Sequence, residues 1–177
     1  MGDFVRINVS GIGELKASFD KLSQDLKERA LRSAGYAGAK VICDQAIENA
    51  PYFTGTVAQG HPPPGTLKNS IIVKRITELC KDYRQVYYVT VRRGQVGGNH
   101  DAYYALWVEE GHFYRKAWQA LKGGDRRKAA QRAALAASGA TYVPAHPYMR
   151  TAFEMTKEAA KKAIIDRLST YITLANK

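Results

Sequence analysis

The fold of this chain depends on the stretch APYFTGTVAQGHPPPGTLKNSI at residues 50–71, which separates a long helical pattern from a strand-like run. Pro51 lacks a backbone donor and biases the preceding residue away from helical angles, so it predicts the end of the helix. Pro62–Pro64 favour a stiff polyproline conformation. Gly55, Gly60 and Gly65 permit backbone angles that are closed to other residues. If Gly55 uses a positive φ, a β-branched side chain there is strongly disfavoured. The stretch is therefore a predicted joint between a helix and a sheet.

A helical pattern precedes this joint. From Ile12 to Asn49, apolar residues recur at spacings of three and four positions, which is typical of an amphipathic helix. Such a helix is longer than a compact domain needs, and Gly35 and Gly38 weaken it, so we predict a kink there. The small residues between Gly35 and Ala39 also leave a thin surface. Two interpretations stay open: a helix that only covers the core, and one that also packs against copies of itself.

Strand-like patterns occur at three places. Phe4–Val9 predicts a short strand, and Leu67–Ile76 and Val86–Arg93 predict an antiparallel hairpin because only a short turn at Lys81–Tyr83 connects them. The aromatic segment Ala102–Gly111 fits either a buried strand end or a short helix. The hairpin is therefore the expected centre of the sheet.

The C-terminal part contains a second proline-bracketed joint, Tyr142–Met149, which precedes an amphipathic helical pattern from Met149 to Ile172. The chain as a whole predicts an α+β fold, in which a twisted antiparallel β-sheet packs against a long N-terminal helix and a C-terminal helix. We predict a single domain over residues 1–177, with a basic helical insert at about residues 113–140.

Positive charge is concentrated in that insert. The formal net charge is +11, whereas residues 1–50 contain seven basic and seven acidic side chains and are neutral overall. Residues 113–140, which we call the basic segment, contain seven basic side chains and one acidic one, for a balance of +6. This concentration predicts a polyanionic neighbour, which can be nucleic acid, a membrane surface or an acidic protein.

Patterns for catalysis or metal binding are absent from the sequence. The four histidines lie in separate predicted loops, and the two cysteines form no CxxC pair. A Glu109–His112 acid–base pair is conceivable, but no nucleophile motif accompanies it. We therefore predict no enzyme activity, no metal, no cofactor and two free thiols. No apolar run is long enough to predict a membrane span, and the first residues lack the layout of a secretory signal.

Nucleic-acid binding is the main alternative function. The basic segment combines its cations with the rings of Tyr114 and Trp118, which can stack on bases, and phosphate contacts require no motif. No helix-turn-helix, RNA-recognition or zinc-finger pattern accompanies them. A solvated basic face and a face matched to an acidic protein stay open as alternatives.

Three motifs occur in order along the chain. The first is ENAP at residues 48–51, followed by TG at 54–55 and GTLKNSI at 65–71; the second is YYALWVEEG at 103–111; the third is PAHPYMRTAF at 144–153. Together they resemble the small virion proteins of long-tailed bacteriophages that act as head–tail joining, neck or tail-completion proteins. The pattern of that family runs roughly A-P-x-x-T-G-x-L-x-x-S-I, then Y-A-x-x-V-E-x-G, then P-x-x-P-F-x-x-x-A.

The resemblance implies a non-enzymatic α+β subunit that forms a ring, typically sixfold, at the head-proximal end of the tail. It implies as partners further copies of the chain, neighbouring neck, tail-terminator or tail-tube proteins and DNA in the neck channel, with no membrane. The implied location is the virion, and the host cytoplasm during assembly. Two departures concern local contacts: Thr56–Gly65 interrupts the first motif, and His112 with the basic segment follows Gly111, where the family has Thr or Ser.

We predict two sets of contact residues from these observations. The stretch Gln59–Gly65 is expected to be a stiff contact arm to a neighbouring subunit. The set for subunit or partner contacts comprises Gly35, Gly38, Pro62, Pro63, Pro64, Trp107 and Glu109. The set for contacts to a polyanion or an acidic partner comprises Arg115, Lys116, Lys122, Arg126, Arg127, Lys128 and Arg132.

Overall fold

A computed structural model of the chain describes Asp20 and residues 24–56, 61–81, 83–94, 101–113 and 141–175. The predicted strand Phe4–Val9 and nearly all of the basic segment lie outside these residues. The elements are α1 (Gln24–Asn49), α2 (Thr66–Ser70), β1 (Ile71–Arg75), a 3₁₀-helix (Thr77–Leu79), β2 (Tyr87–Val91), α3 (Ala105–Glu110), β3 (His112–Phe113), β4 (Tyr142–Val143) and α4 (Tyr148–Ala175). This mixture of long helices and small antiparallel sheets confirms the predicted α+β class.

The chain divides into two compact units. One comprises Met1–Ala102 with Tyr148–Lys177, and the other comprises Tyr103–Pro147. The first unit contains α1, α2, β1, β2 and α4, and the second contains α3, β3 and β4. The single domain with a basic insert stays a prediction.

Helix α1 ends where the sequence predicted. Its last residue is Asn49, and the amide of Ala50 still donates to the carbonyl oxygen of Ala46 at 2.9 Å before Pro51 stops the ladder. The helix continues through Gly35 and Gly38 without a break, although a kink was expected there. Packing against neighbouring elements supports the backbone at both glycines.

The predicted strand Leu67–Ile76 begins later than expected, because its first residues form helix α2. Gly65 adopts positive φ (83°) and turns the chain, and the Thr66 hydroxyl donates to the carbonyl oxygen of Pro63 at 2.7 Å. The Thr66 amide donates to the same oxygen at 3.2 Å, so the end of the triple proline starts a helical turn. The expectation was wrong because a short apolar run looks alike in a strand and in a helix.

The antiparallel hairpin itself is confirmed. Strands β1 and β2 pair from Ile71 opposite Val91 to Arg75 opposite Tyr87. The predicted turn is closed by reciprocal backbone hydrogen bonds between Lys81 and Arg84 at 2.8 and 2.9 Å. The sheet packs on α1, where a Cβ atom added at Gly35 would lie 2.7 Å from the ring of Tyr87.

The centre of the first unit is the packing of α1 against α4. Ala30 lies in one cluster with Ile172, and Gly38 faces Ile164, so the two helices run antiparallel. The faces of the two helices that pack together are formed largely by small residues. Ala30 and Ala34 of α1 and Ala152 and Ala160 of α4 are almost fully buried. Small side chains allow the two backbones to approach closely, and close contact provides many dispersion interactions.

The second unit contains a strand pair that the sequence did not indicate. His112 lies opposite Val143 and Phe113 lies opposite Tyr142 in an antiparallel arrangement. A further backbone hydrogen bond runs from the amide of His146 to the carbonyl oxygen of Val108, at 2.7 Å. Two-residue strands are too short to show an alternation of apolar and polar residues, so no sequence pattern predicts them.

Of the three glycines singled out in the joint, Gly65 has positive φ, Gly55 does not, and Gly60 lies outside the described residues. Among the described residues, Gly65, Gly94 and Gly111 have φ values of 83°, 83° and 74°, whereas Gly55 does not have positive φ. A Cβ atom at Gly55 would instead lie 2.7 Å from the ring of Phe53. The expectation for Gly55 is therefore corrected: the limit there is space beside an aromatic ring.

Tyr87 couples the hairpin to α1 and predicts a dependence of stability on alkaline pH. Its hydroxyl donates to the carbonyl oxygen of Arg32 at 2.8 Å, and burial raises the pKa of Tyr87 above its ordinary value, although the positive charge of Arg75 lowers it. Because the unfolded chain releases this proton more easily, stability is retained below pH 10 and falls as pH rises through the folded pKa. Tyr87→Phe should remove part of this alkaline loss of stability. At neutral pH it should lower the free energy of unfolding by about 1 kcal/mol, because the hydrogen bond to Arg32 is lost.

Urea unfolding at several pH values between neutral and strongly alkaline measures this effect. Tyr83→Phe is the matched control, because the Tyr83 ring is exposed and should leave the alkaline decline unchanged. An alkaline decline that is identical in the wild type and in Tyr87→Phe would contradict the assignment.

Candidate functional site

The joint after α1 exposes two aromatic side chains. Tyr52 is 58% exposed and Phe53 is 57% exposed, and both directly follow the proline that ends the helix. Across the joint, Pro63 and Pro64 are also exposed, whereas Pro62 is half-buried. We call Tyr52, Phe53 and Pro62–Pro64 the joint surface.

Hydrogen bonds to backbone carbonyl oxygens hold the residues around the joint surface. The amide of Asn69 donates to the carbonyl oxygen of Gly65 at 3.0 Å, and the Lys68 ammonium reaches the carbonyl oxygen of Glu48 at 3.4 Å. A Cβ atom at Gly65 would lie 3.2 Å from the Tyr52 ring, so this glycine allows the ring to approach the backbone. The Tyr52 ring therefore lies beside a hydrogen-bonded turn, which reduces the ordering cost of a contact to another protein.

A second exposed aromatic surface lies on α3 in the other unit. Tyr103 packs edge-on against Trp107, with ring centroids 5.7 Å apart, and Trp107 also lies 5.6 Å from the His112 ring. Tyr103, Leu106 and Trp107 are exposed, and we call them the α3 surface. Glu109, which the sequence analysis proposed as a contact residue, is half-buried on the same helix. Large exposed apolar side chains that lie close together are typical of protein interfaces.

The small-residue face of α1 is used within the chain. Gly38 is buried, and a Cβ atom there would lie 2.6 Å from Cγ1 of Ile164 and 3.1 Å from the carbonyl oxygen of Ala160. Gly35 similarly accommodates Tyr87. Intrachain packing thus accounts for both glycines, and their contact with another subunit stays a prediction.

The seven basic residues proposed to meet a polyanion all lie outside the described residues. Their contact to DNA or to an acidic protein therefore stays a prediction. The segment that carries them is bounded by β3 and β4, so its two ends start from the same strand pair.

The described residues contain no group of three or more His, Cys, Asp or Glu side chains placed to hold a metal ion. The conceivable partner of Glu109, His112, has a buried Nδ1 atom without a hydrogen-bond partner among the described residues. Cys43 and Cys80 are both free, and burial raises the pKa of the Cys43 thiol. None of the described helices has the combination of length and apolar character that crossing a membrane requires.

The prolines and Trp107 were predicted from the sequence as contact residues, whereas Tyr52 and Phe53 were not. The available signal was an aromatic pair immediately after a helix-ending proline, because such residues have left the amphipathic helix and its buried face. Neither local periodicity nor composition shows whether they turn inward or outward.

Comparison with known proteins gives one family. Residues 13–111 match the model of HK97-gp10_like, described as "Bacteriophage HK97-gp10, putative tail-component". No curated protein and no solved structure gives a significant match. The matched residues span more than half of the chain and include both the joint surface and the α3 surface.

Proposed function

We propose, from the premise that this chain belongs to the HK97-gp10-like family of phage tail components, that it forms a ring at the head-proximal end of the tail. There it completes the tail and joins it to the head. A tail component is a structural virion protein that contacts other virion proteins. The ring, its sixfold symmetry and the joining role are the proposed part, and they rest on the three ordered motifs together with the exposed surfaces.

The observation that carries the proposal is the position of the exposed aromatic residues. Tyr52 and Phe53 on the joint surface and Trp107 on the α3 surface all lie within the family-matched residues 13–111. These two surfaces are different from each other, which is what a ring requires. In a closed ring of identical subunits each contact is head-to-tail, so one patch of a subunit meets a different patch of the next.

We infer that the joint surface of one subunit contacts the α3 surface of the next. Phe53 and Trp107 would then provide the aromatic anchors, and Pro63 and Pro64 would add stiff edges that lose little conformational entropy on binding. Neighbouring neck, tail-terminator or tail-tube proteins would contact the two flat faces of the ring. The basic segment would meet an acidic neighbour or the DNA in the neck channel. The protein itself would be located in the virion, and in the host cytoplasm during assembly.

Phe53→Ser is expected to weaken the ring. Loss of one buried phenylalanine side chain from each interface removes about 2 kcal/mol, which corresponds to a dissociation constant about 30-fold higher. Analytical ultracentrifugation of the purified protein over a range of concentrations, alone and with the virion proteins encoded beside it, measures the change.

Met155→Ser is the matched control, because Met155 is as exposed as Phe53 and lies on α4, away from both surfaces in sequence. Circular dichroism during heating verifies that both variants are folded. A wild-type protein that stays monomeric in every one of these mixtures would refute the ring, and equal weakening by both variants would refute the joint surface as its contact.

A further inference from the structure

The first unit carries an open depression between α1, β2 and α4 to which the ring model gives no role. Its lining consists of arginine and tyrosine side chains with one serine: Arg29, Arg32, Ser33, Tyr36, Tyr87 and Tyr171. We call it the arginine–tyrosine depression. All of these residues belong to one compact unit, so the depression is built by the packing of α1 against β2 and α4.

Contacts within the depression fix its tyrosine rings. The Tyr87 hydroxyl donates to the carbonyl oxygen of Arg32 at 2.8 Å. Tyr36 packs edge-on against Tyr87, with centroids 6.4 Å apart and ring planes inclined by 65°. The Tyr171 ring lies 5.8 Å from the Arg167 guanidinium. The tyrosines thus form a preformed apolar floor, and contacts with one another and with a cation hold their rings in place.

Cations exceed carboxylates around this floor. One Glu28 carboxylate lies 2.6 Å from the Arg32 guanidinium and 3.8 Å from that of Arg75. Arg167 donates from Nε to the Ser33 hydroxyl at 2.8 Å, at the edge of the depression. Arg29 has no ion pair or hydrogen bond within the described part of the chain. Glu28 therefore balances one guanidinium, and Arg29 and Arg167 lack a carboxylate there.

We propose that the arginine–tyrosine depression binds an acidic segment of a neighbouring virion protein. Carboxylates of that segment would pair with the guanidinium groups of Arg29 and Arg167, and an apolar side chain between them would rest on the tyrosines. Guanidinium groups present paired donors that match carboxylate oxygens, and Arg32 already makes one such hydrogen bond to the Glu28 carboxylate at the same place. The inference rests on the proposed tail role, which supplies the neighbour.

Two observations favour an acidic protein segment over other occupants. A second copy of this chain carries an excess of positive charge (+11), so it offers a cationic depression fewer carboxylates than an acidic segment does. Single-stranded nucleic acid binds by stacking bases on ring faces. The edge-to-face contact between Tyr36 and Tyr87 and the Arg167 guanidinium beside Tyr171 each occupy a ring face, which leaves fewer faces for bases. Carboxylates together with an apolar side chain match what the depression offers.

Binding of a labelled peptide of alternating glutamate and leucine, measured by fluorescence polarisation on the full chain, tests the proposal. The corresponding glutamine–leucine peptide and a labelled DNA duplex are the comparison probes. We expect the double variant Arg29→Gln with Arg167→Gln to bind the acidic peptide about 100-fold more weakly, or about tenfold for each arginine. Lys157→Gln with Lys161→Gln removes the same charge from an outer face of α4, where both lysines pair with glutamates at 2.7 Å, and should change binding less than about twofold.

Three results would overturn the proposal. The first is the absence of binding of the glutamate–leucine peptide at about 1 mM. The second is a loss of peptide affinity that is equal in the lysine double variant and the arginine double variant. The third is DNA binding that depends on the two arginines more than peptide binding does. Sedimentation of the same variants separates the inference from the ring. A wild-type monomer whose peptide binding depends on the arginines refutes the ring alone, whereas a ring without such binding refutes the depression alone.

Discussion

Gly38→Leu is expected to lower the free energy of unfolding by about 3 kcal/mol, the upper end of the cost of overpacking a close-packed interior. The first added carbon would lie 2.6 Å from Cγ1 of Ile164 and 3.1 Å from the carbonyl oxygen of Ala160. Leucine gains about 0.8 kcal/mol in helix propensity over glycine. The overlap outweighs this gain, because the Ala160 carbonyl is backbone and moves only if α4 moves.

Urea unfolding followed by circular dichroism measures this loss, and a double-mutant cycle with Ile164→Ala locates its cause. The shortened side chain at position 164 makes space for the leucine, so the double variant should lose less stability than the sum of the single variants. If the two losses simply add, the leucine is destabilising for a reason other than contact with Ile164.

Gly111→Ala is the second substitution with a large expected effect, and it acts on the second unit. Gly111 has φ 74° and ψ 164°, a combination that is almost restricted to glycine and costs other residues about 1–3 kcal/mol. An added Cβ atom would also collide with the Tyr142 hydroxyl and lie 2.8 Å from the amide nitrogen of Ala145 and 2.9 Å from the carbonyl oxygen of Val143. Strain and collision together should separate β3 from β4.

Trp107 provides the readout, because its ring lies 5.6 Å from that of His112, the residue next to Gly111. The chain contains two tryptophans, so a Trp118→Phe background isolates the fluorescence of Trp107. Gly94→Ala is the matched control: it has φ 83° but no atom within 4 Å of the added carbon, so it tests backbone strain without collision. A Gly111→Ala change no larger than that of Gly94→Ala would show that the facing strand is not constrained there.

The features that the sequence predicted correctly depend on local chemistry. Pro51 stops α1 whatever its surroundings, and the close spacing of the two strand patterns after the joint predicts an antiparallel hairpin. The C-terminal helix starts at Tyr148, immediately after Pro147, for the same local reason. Helix periodicity and proline chemistry act over a few residues, so both are readable without the fold.

Other features depend on which distant residues meet. The sequence does not show that Gly38 faces Ile164, nor that the chain on either side of the basic segment pairs as β3 and β4. The arginine–tyrosine depression has the same origin. Arg29 and Arg32 look like the solvated face of a helix until Tyr87 and Tyr171 are placed beside them. Contacts between residues far apart in sequence carry no local signal, which is why the site was harder to predict than the elements.

The short strand pair has a consequence for how this protein can vary. Phe113 and Tyr142 lie opposite each other, so the two ends that flank residues 114–141 are held side by side. The entropy cost of closing such a connection grows only by about 0.6 kcal/mol for each doubling of its length. The β3–β4 strand pair therefore holds both ends of the connection, whatever the length of the segment between them. A change in the length of that segment therefore adds little to the entropy cost of closing the connection between β3 and β4.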